Sequence, residues 1–379
     1  MNWRRILLAA SLTLSGCAAA PDSGTGADPA HETIHAGVET QTGVLDGAAY
    51  RVDIPPNWNR ELVVYYHGYS VDPVVFHEGE PLSPMFAPLL ARGYALIQSG
   101  YSQTGWAMEQ AYSETEALRK KFVATHGATK RSYVLGMSMG GALTALTIET
   151  KPDIYAGALS LCGVLTPSAR MLQHDFDTLA AFDHYLPGVL GSLAPVRADY
   201  MPNAESQRHI AQALATNPQA ARSILDIYGS GDARTLPDVL SFNLYIIGEL
   251  QRRAGGNPFD NSNVVYGGSQ DDAELNRNVQ RYRADANAVA YLARWYTPTG
   301  KLARPLLAMH DSGDPLVPAA VALDYAQLAQ SAGSRERFVP QFIAREGHCV
   351  FTPTEIGHAF DELVQWVETG KRPQANTLH

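Results

Sequence analysis

A serine enclosed by glycines is the first feature of this sequence that suggests chemistry. Ser138 lies in the stretch GMSMGG, with Gly136 and Gly140 two residues away on either side. The stretch joins an apolar run, predicted as a buried strand, to a segment of helical composition. Small residues at this spacing permit a sharp strand-to-helix turn that exposes the serine as a nucleophile. The helix N-terminus and the backbone N–H of Met139 would then stabilise an oxyanion. The pattern also fits a glycine-rich turn with a bystander serine.

A serine hydroxyl is a weak nucleophile near neutral pH, so it needs a base and an acid that orients the base. His348 follows the last predicted strand, in REGHCVF, and Asp311 and Asp314 follow the preceding strand, in MHDSGDPLVP. Since the carboxyl ends of parallel strands meet at one edge of a sheet, these side chains are expected near Ser138. We favour His348 among the 12 histidines because of this setting.

A second oxyanion donor is expected from the loop after an early strand, in the stretch YYHGYS. Gly68 allows the backbone to approach the nucleophile closely because it has no side chain. The N–H of Tyr69 is the predicted donor. His67 is interpreted as a structural residue rather than as a base.

The predicted elements alternate in the first and last parts of the chain. Strands are expected at 44–54, 62–66, 94–98, 132–135, 156–161, 305–309 and 338–343, and helices at 106–126, 143–149 and 353–368. This order predicts an α/β fold, a mostly parallel sheet with helices on both faces. A mostly helical stretch interrupts this alternation. Apolar spacing predicts helices at 206–228, 236–253 and 271–296, and a loop is predicted at 255–268. We interpret 165–299 as a helical lid insertion between two core segments, 43–164 and 300–379.

These motifs together resemble the α/β-hydrolase superfamily over residues 43–370. Four motifs occur in the order typical of that superfamily: His67-Gly68, the Ser138 elbow, the Asp314 loop and the His348 loop. Asp314-Pro-Leu-Val-Pro is similar to its acid loop, although Asp311 replaces the glycine of the usual histidine–glycine pair. The resemblance implies an α/β-hydrolase fold and a Ser138–His348–Asp314 triad, with Asp311 as a turn residue or a supporting group. It does not specify a substrate.

Besides Cys17, the chain has two cysteines, Cys162 and Cys349. An oxidising envelope favours their pairing. Both are expected at the same edge of the sheet, so we predict a Cys162–Cys349 disulfide that braces the histidine loop. Two buried free thiols are the alternative. Feruloyl esterases of the tannase type join the neighbours of their catalytic serine and histidine by a disulfide. The His348-Cys349 pair looks similar, but Met137 stands where that group has cysteine.

The N-terminal sequence predicts that the protein is exported. Residues 1–16 have a basic start and an apolar run too short to span a bilayer, as in a signal peptide. Leu-Ser-Gly-Cys at 14–17 resembles a bacterial lipobox, which implies lipidation of Cys17. Ala18 implies sorting to the outer membrane, on its periplasmic or surface face. Residues 17–42 are predicted to be a solvated, lipidated tether. Plain secretion with an incidental Cys17 is the alternative.

Composition narrows the function classes. The 379-residue chain has a net charge of −9, a pI near 5.7 and no basic stripe, which argues against nucleic acid as a partner. The sequence has no His/Cys cluster with zinc spacing and no glycine-rich phosphate loop. A serine triad needs neither, so we expect no metal and no cofactor.

The sequence therefore predicts a membrane-anchored serine hydrolase that cleaves a carboxylic ester through an acyl-enzyme. An ester is favoured because alcohols leave more easily than amines. One alternative is a prolyl-oligopeptidase-like aminopeptidase or amidase, with Glu78, Glu80 and Glu109 as candidate readers of an amine or as solvated surface. Another is a non-catalytic binding lipoprotein on the same fold. Tyr101 and Trp106 are candidate pocket residues or core.

Overall fold

A nine-stranded sheet forms the centre of the molecule in the computed structural model, which describes residues 31–35, 37–229 and 231–376. The strands are β1 (His31–His35), β2 (Val38–Leu45), β3 (Ala48–Ile54), β4 (Glu61–Tyr66), β5 (Ala95–Ser99), β6 (Arg131–Met137), β7 (Gly157–Leu161), β8 (Leu306–Gly313) and β9 (Phe338–Glu346). Their spatial order is β1-β2-β3-β5-β4-β6-β7-β8-β9. The β1–β2, β2–β3 and β3–β5 pairs are antiparallel, and every pair from β5 to β9 is parallel. The predicted mostly parallel sheet is confirmed.

Helices cover both faces of this sheet. They are α1 (Ala87–Ala91), α2 (Met108–His126), α3 (Met139–Thr150), α4 (Ser168–Tyr185), α5 (Ala204–Thr216), α6 (Pro218–Tyr228), α7 (Leu236–Ala254), α8 (Asp272–Asn278), α9 (Ala286–Tyr296), α10 (Ala320–Ser331) and α11 (Pro353–Thr369). Val64 of β4 belongs to the apolar cluster that includes α2 and α3, whereas its neighbour Val63 belongs to the cluster that includes α1 and α11. Successive strand residues point to opposite faces, which explains why the parallel strands read as continuous apolar runs.

The folded part begins earlier than the sequence indicated. The predicted tether, 17–42, contains β1 and overlaps the start of β2. β1 pairs with β2, and β2 pairs with β3 from Glu39 to Leu45. Thr40 is buried, and its hydroxyl donates to Asp53 at 2.8 Å. Polar residues that are satisfied across an antiparallel ladder carry no apolar signal, so this strand was missed. The predicted signal peptide 1–16, Cys17 and the tether to residue 30 lie outside the described residues.

Six helices, α4 to α9, stand between β7 and β8, where the helical lid insertion was predicted. The insertion contacts the core on two sides. Tyr228 donates from its hydroxyl to the carbonyl of Pro315, in the loop after β8, at 3.0 Å. Tyr69, in the loop after β4, donates to Glu249 of α7 at 2.7 Å. Both contacted loops follow the carboxyl ends of their strands, so the insertion lies over that edge of the sheet.

Two helices expected as continuous stretches are interrupted. The stretch 206–228 breaks at Asn217-Pro218, because proline suits a first helical turn and Asn217 caps α6 by accepting from the N–H of Ala220. The stretch 271–296 is non-helical between α8 and α9. There the N–H of Tyr282 donates to the side chain of Asn261 at 2.6 Å. A loop distant in sequence therefore takes a hydrogen bond that a helix would have used.

Spanning helices can be judged only within the described ranges. None of the helices there combines the length and the apolar composition needed to cross a membrane.

Candidate functional site

The turn at Ser138 is tight and strained. Ser138 connects β6 to α3 with φ 57° and ψ −119°, a conformation that side-chain-bearing residues rarely adopt. A Cβ on Gly136 would lie 2.1 Å from the carbonyl oxygen of Gly140, and a Cβ on Gly140 would lie 2.1 Å from that of Tyr66. Both positions therefore require glycine. The sequence prediction of a sharp strand-to-helix turn agrees with this geometry.

Gly141, the third glycine of GMSMGG, is required by a different contact, which the sequence analysis missed. A Cβ on Gly141 would lie 2.4 Å from the Cα of Gly163, in the loop after β7. Gly141 thus lets α3 approach that loop, and the hydroxyl of Ser160 donates to the Gly141 carbonyl at 3.2 Å. This contact fixes the start of the helix whose N-terminus faces the serine.

Three predicted site residues meet at the carboxyl edge of the sheet. His348 Nε2 lies 2.8 Å from Ser138 Oγ, and His348 Nδ1 lies 2.6 Å from Asp314 Oδ2. The side chains come from the loops after β6, β8 and β9. The other oxygen of Asp314 accepts from the N–H groups of Leu316 and Val317, both at 2.9 Å. Asp314 is therefore held rigidly while it faces the imidazole.

The surroundings keep Asp314 ionised. Burial alone would raise the pKa of its carboxyl, but hydrogen bonds and charge from His310 and His348 hold that pKa below its usual value. His310 Nε2 is 3.5 Å from Asp314 Oδ2 and 2.8 Å from the carbonyl of Val317. The Val317 carbonyl is thus the nearer partner of His310 Nε2, and Asp314 Oδ2 is the more distant one.

Asp311, the alternative acid, occupies a different place. It lies within β8 rather than after it, and its Oδ2 accepts from the N–H of Val350 at 3.0 Å. Its Oδ1 is buried without a hydrogen-bond partner among the described residues. Burial, with the nearby charge of Asp314, raises the pKa of the Asp311 carboxyl to about 6. Asp311 thus supports the backbone beyond His348, in line with the supporting role that the sequence left open.

The loop after β4 lies against the elbow as predicted. A Cβ on Gly68 would lie 3.3 Å from both the Met137 carbonyl oxygen and the Ser138 Cβ. His67 stacks on Tyr101 with ring centroids 3.8 Å apart, and its Nδ1 lies 2.6 Å from the Gly68 carbonyl. Burial lowers the pKa of His67 to about 4, so its ring is neutral at pH 7. His67 and Tyr101 therefore brace the loop.

Tyr69 links this loop to the insertion. Its ring has three aromatic neighbours within 6.4 Å between centroids: Trp106, Phe242 and Tyr245. Its hydroxyl donates to Glu249, which the sequence analysis did not single out. The available signal was a glutamate on the apolar side of a helix, in IIGELQRR, where an unpaired charge is unfavourable. Trp106, a candidate pocket residue, is buried and contributes its backbone N–H to the same carboxylate.

A Cys162–Cys349 disulfide is present, as predicted, with Cα atoms 5.5 Å apart. The N–H of Ser138 donates to the carbonyl of Leu161, the residue before Cys162, at 2.9 Å. The bridge therefore runs from the strand beside the elbow to the residue after His348. The two sulfurs and His348 have the mutual spacing of metal ligands. Sulfurs joined in a disulfide are not thiolates, so the group offers a metal one imidazole only.

The three glutamates proposed to recognise an amine differ in exposure. Glu78 and Glu80 are exposed in the loop after β4, and the Glu80 carboxylate accepts from the N–H of His77 at 3.1 Å. Glu109 is half-buried in the first turn of α2. A cavity of about 720 Å³ lies at the opposite, amino-terminal edge of the strands, lined by Lys130 and Arg304 among others, and is not part of this site.

The chain has the α/β-hydrolase fold. Three features define it: the strand order, the helices on both faces of the sheet and the elbow at Ser138. The rice cell wall degrading esterase LipA from Xanthomonas oryzae has a TM-score of 0.50 at 15% identity, over 89% of this chain and 98% of that chain. This likeness confirms the predicted α/β-hydrolase fold. Feruloyl esterase B from Aspergillus oryzae gives a TM-score of 0.49 at 15% identity, covering 89% of this chain and 82% of its own.

Two further comparisons cover only part of the similar protein. The acylaminoacyl peptidase of Pyrococcus horikoshii gives a TM-score of 0.45 at 11% identity over 92% of this chain, which spans 43% of that peptidase. The o-phthalyl amidase of Xanthobacter agilis is 29% identical over 108 residues, which are 27% of this chain and 23% of the amidase. No protein-family model matches the chain.

Proposed function

We propose that this protein is a serine hydrolase that cleaves a carboxylic ester through a covalent acyl-enzyme. The observation that carries the proposal is the continuous contact from Ser138 Oγ through both nitrogens of His348 to Asp314 Oδ2, 2.8 and 2.6 Å long. The ionised Asp314 accepts from Nδ1 and thereby leaves Nε2 as the free base beside the hydroxyl.

The reaction proceeds in two halves. Ser138 Oγ attacks the ester carbonyl carbon while His348 Nε2 takes the hydroxyl proton, which gives a tetrahedral intermediate with a negative oxygen. The N–H groups of Met139 and Tyr69 bind that oxygen. Collapse breaks the bond to the alcohol, and His348 returns its proton to the leaving oxygen. Water then attacks the acyl-enzyme while His348 takes one of its protons. As this second tetrahedral intermediate collapses, the bond to Ser138 Oγ breaks, His348 returns the proton to Oγ, and the acid leaves.

The strain at Ser138 supports this assignment. A left-handed backbone at a serine has a conformational cost of about 1–3 kcal/mol, and such strain is concentrated at functional sites. Here the strained turn presents the hydroxyl to His348, 2.8 Å away. A bystander serine in a simple turn would not need to share its hydroxyl with a histidine that a buried aspartate orients.

An amide substrate is the second candidate. The stretch of likeness to the o-phthalyl amidase of Xanthobacter agilis favours it, since amide cleavage uses the same steps with an amine as the leaving group. The amine needs the proton from His348 before it can leave, so the demand on Nε2 is greater. A non-catalytic binding role is the third, and it predicts that Ser138 is unreactive.

A test uses p-nitrophenyl esters of short and long acids, with a matched p-nitroanilide. We expect ester turnover that Ser138→Ala abolishes and that Ser113→Ala, an exposed serine of α2, leaves unchanged. A fluorophosphonate should label the wild type and not Ser138→Ala. Turnover of the anilide in preference to the esters would favour the amidase. Absence of both labelling and turnover would contradict the hydrolase and favour the non-catalytic binding role.

We also propose that Cys17 is lipidated and anchors the protein to the outer membrane of a bacterial envelope. The lipobox-like Leu-Ser-Gly-Cys at 14–17 and the oxidised Cys162–Cys349 pair support an exported protein. Labelled palmitate should enter the wild type and not Cys17→Ser, and fractionation should release the variant from membranes. Equal labelling of both proteins would contradict the assignment.

A further inference from the structure

Glu249 joins the insertion to the loop that follows β4. It lies on α7, is 8% exposed, and its Oε2 accepts from the Tyr69 hydroxyl at 2.7 Å. The backbone N–H of Trp106 lies 2.9 and 3.0 Å from its two oxygens. Arg253, one turn along α7, donates from Nε to Oε1. One buried carboxylate is thus shared by three segments that are far apart in sequence.

The segment 104–106 is shaped around this carboxylate. Gly105 has φ 78°, and a Cβ there would lie 2.1 Å from Glu249 Oε1, so the position needs glycine for both backbone and space. The N–H of Gly105 donates to the carbonyl of Ser70 at 2.6 Å, and Arg253 donates to the carbonyl of Thr104. Glu249 therefore holds the segment around Tyr69 directly at the Tyr69 hydroxyl and, through residues 104–106, at the carbonyl of Ser70.

The same segment faces the nucleophile. Gly68 approaches the Ser138 side chain, and the N–H of the next residue, Tyr69, is the proposed oxyanion donor. Anchoring the phenol end of Tyr69 limits the movement of its backbone, and a displacement of about 1 Å in a catalytic group can cost about 100-fold in rate. Burial, and then the charge of Glu249, raises the pKa of the Tyr69 phenol well above its usual value. The phenol therefore stays a donor across the working pH range.

We propose that Glu249 is a positioning residue that holds the Tyr69 loop where its backbone N–H meets the oxyanion. The oxyanion hole is then complete only while α7 of the insertion is docked on the core. This inference rests on the proposed hydrolase function, because it assigns a role within that site. It makes the insertion part of the catalytic machinery as well as a cover.

Kinetics of two single variants, their double variant and one control variant test the coupling. Tyr69→Phe deletes one hydroxyl and keeps the backbone donor, and Glu249→Gln removes the charge at nearly constant size. We expect each to lower kcat about 10-fold with KM within about twofold, since a hydrogen bond to a charged group is worth about that factor. The double variant should be no slower than the slower single variant. Glu274→Gln, another carboxylate of the insertion, paired with His184, should keep wild-type kcat.

Hydrogen–deuterium exchange gives a readout that does not need turnover. Peptides covering residues 67–72 should exchange faster in Tyr69→Phe and Glu249→Gln than in the wild type and Glu274→Gln. Faster exchange in both variants, with non-additive kcat, supports the proposal. Unchanged exchange, additive kcat values, or a lower melting temperature with wild-type kcat would each overturn it. If the wild type itself neither hydrolyses esters nor reacts with a fluorophosphonate, the proposed function fails, while exchange still decides whether Glu249 holds the loop.

Discussion

Two aspartates three residues apart have opposite environments, and this difference suits them to different roles in the proposed hydrolase. Asp314 faces His348 and has a pKa held below its ordinary value by its histidine partners, whereas burial raises the pKa of Asp311 to about 6. An acid that orients a base must stay ionised through the reaction. Asp314 meets that requirement, whereas Asp311 accepts a hydrogen bond from the backbone N–H of Val350.

Asparagine at each position should separate the two roles. Asp314→Asn should lower kcat by about 10⁴-fold, because the amide favours the wrong tautomer of His348. Asp311→Asn should keep most of the activity, because an amide oxygen can still accept from Val350. Initial rates on a p-nitrophenyl ester measure both. A large loss in Asp311→Asn with a small loss in Asp314→Asn would reverse the assignment.

The elbow acts as one element with the strand before it and the helix after it. Its geometry depends on glycines that face backbone atoms, and backbone atoms cannot rotate away as a side-chain end can. The elbow therefore has no room for a Cβ at Gly136 or Gly140.

Gly140→Ala should lose at least about 10-fold in kcat, because its Cβ would lie 2.1 Å from the Tyr66 carbonyl and displace the elbow. Gly267→Ala is the matched control, since its Cβ would meet the nearest neighbouring atom only at 3.8 Å. Wild-type kcat in Gly140→Ala, measured beside its melting temperature, would contradict the close packing described for the elbow.

The disulfide connects the end of β7 with the loop after β9 across a sequence separation of 187 residues. Replacing both cysteines by alanine should cost about 2–5 kcal/mol of unfolding free energy, as for other native disulfides. His348 is the neighbour of Cys349, so kcat should fall as well. Urea unfolding and initial rates of the double variant test both effects. Unchanged stability would show that packing alone holds the histidine loop.

At the scale of the whole molecule, the insertion contains buried carboxyls that make its stability depend on pH. Asp175 is 6% exposed and accepts from Asn243 at 2.9 Å, and burial raises its pKa to about 8. Burial likewise raises the pKa of Asp177 to about 7. An unfolded aspartate titrates near pH ~3.9, so the native state binds more protons between these values. Stability should therefore fall as the pH rises from 5 to 8.

Asp175→Asn should flatten this dependence, because the amide has no proton to lose and can still accept from Asn243. We expect the variant to gain at least about 1 kcal/mol relative to the wild type between pH 5 and pH 8. Asp226→Asn, which changes an exposed carboxylate of α6, is the control and should follow the wild type. Melting temperatures at both pH values give the comparison. An equal change in melting temperature between the two pH values for Asp175→Asn and the wild type would disprove the raised pKa of Asp175 in the native state.

The sequence by itself determined the features that local spacing encodes. Continuous apolar runs marked the parallel strands, and GMSMGG marked the elbow, because a sharp turn needs glycine at fixed offsets. The order of Ser138, Asp314 and His348 placed three functional groups at strand ends, which share one edge of a parallel sheet. The same reasoning put Cys162 near Cys349. Each of these depends on a residue and its immediate neighbours.

Tertiary structure alone decided what depends on contacts between distant segments. β2 was missed because Thr40 finds its partner across the sheet, and the break between α8 and α9 depends on Asn261. The environments that divide the roles of Asp311 and Asp314 form only when the loops after β8 and β9 pack together. The role proposed for Glu249 depends on its hydrogen bond with Tyr69, 180 residues away in the sequence. Burial and hydrogen-bond partners are properties of the folded chain, and local sequence does not encode which distant group will supply them.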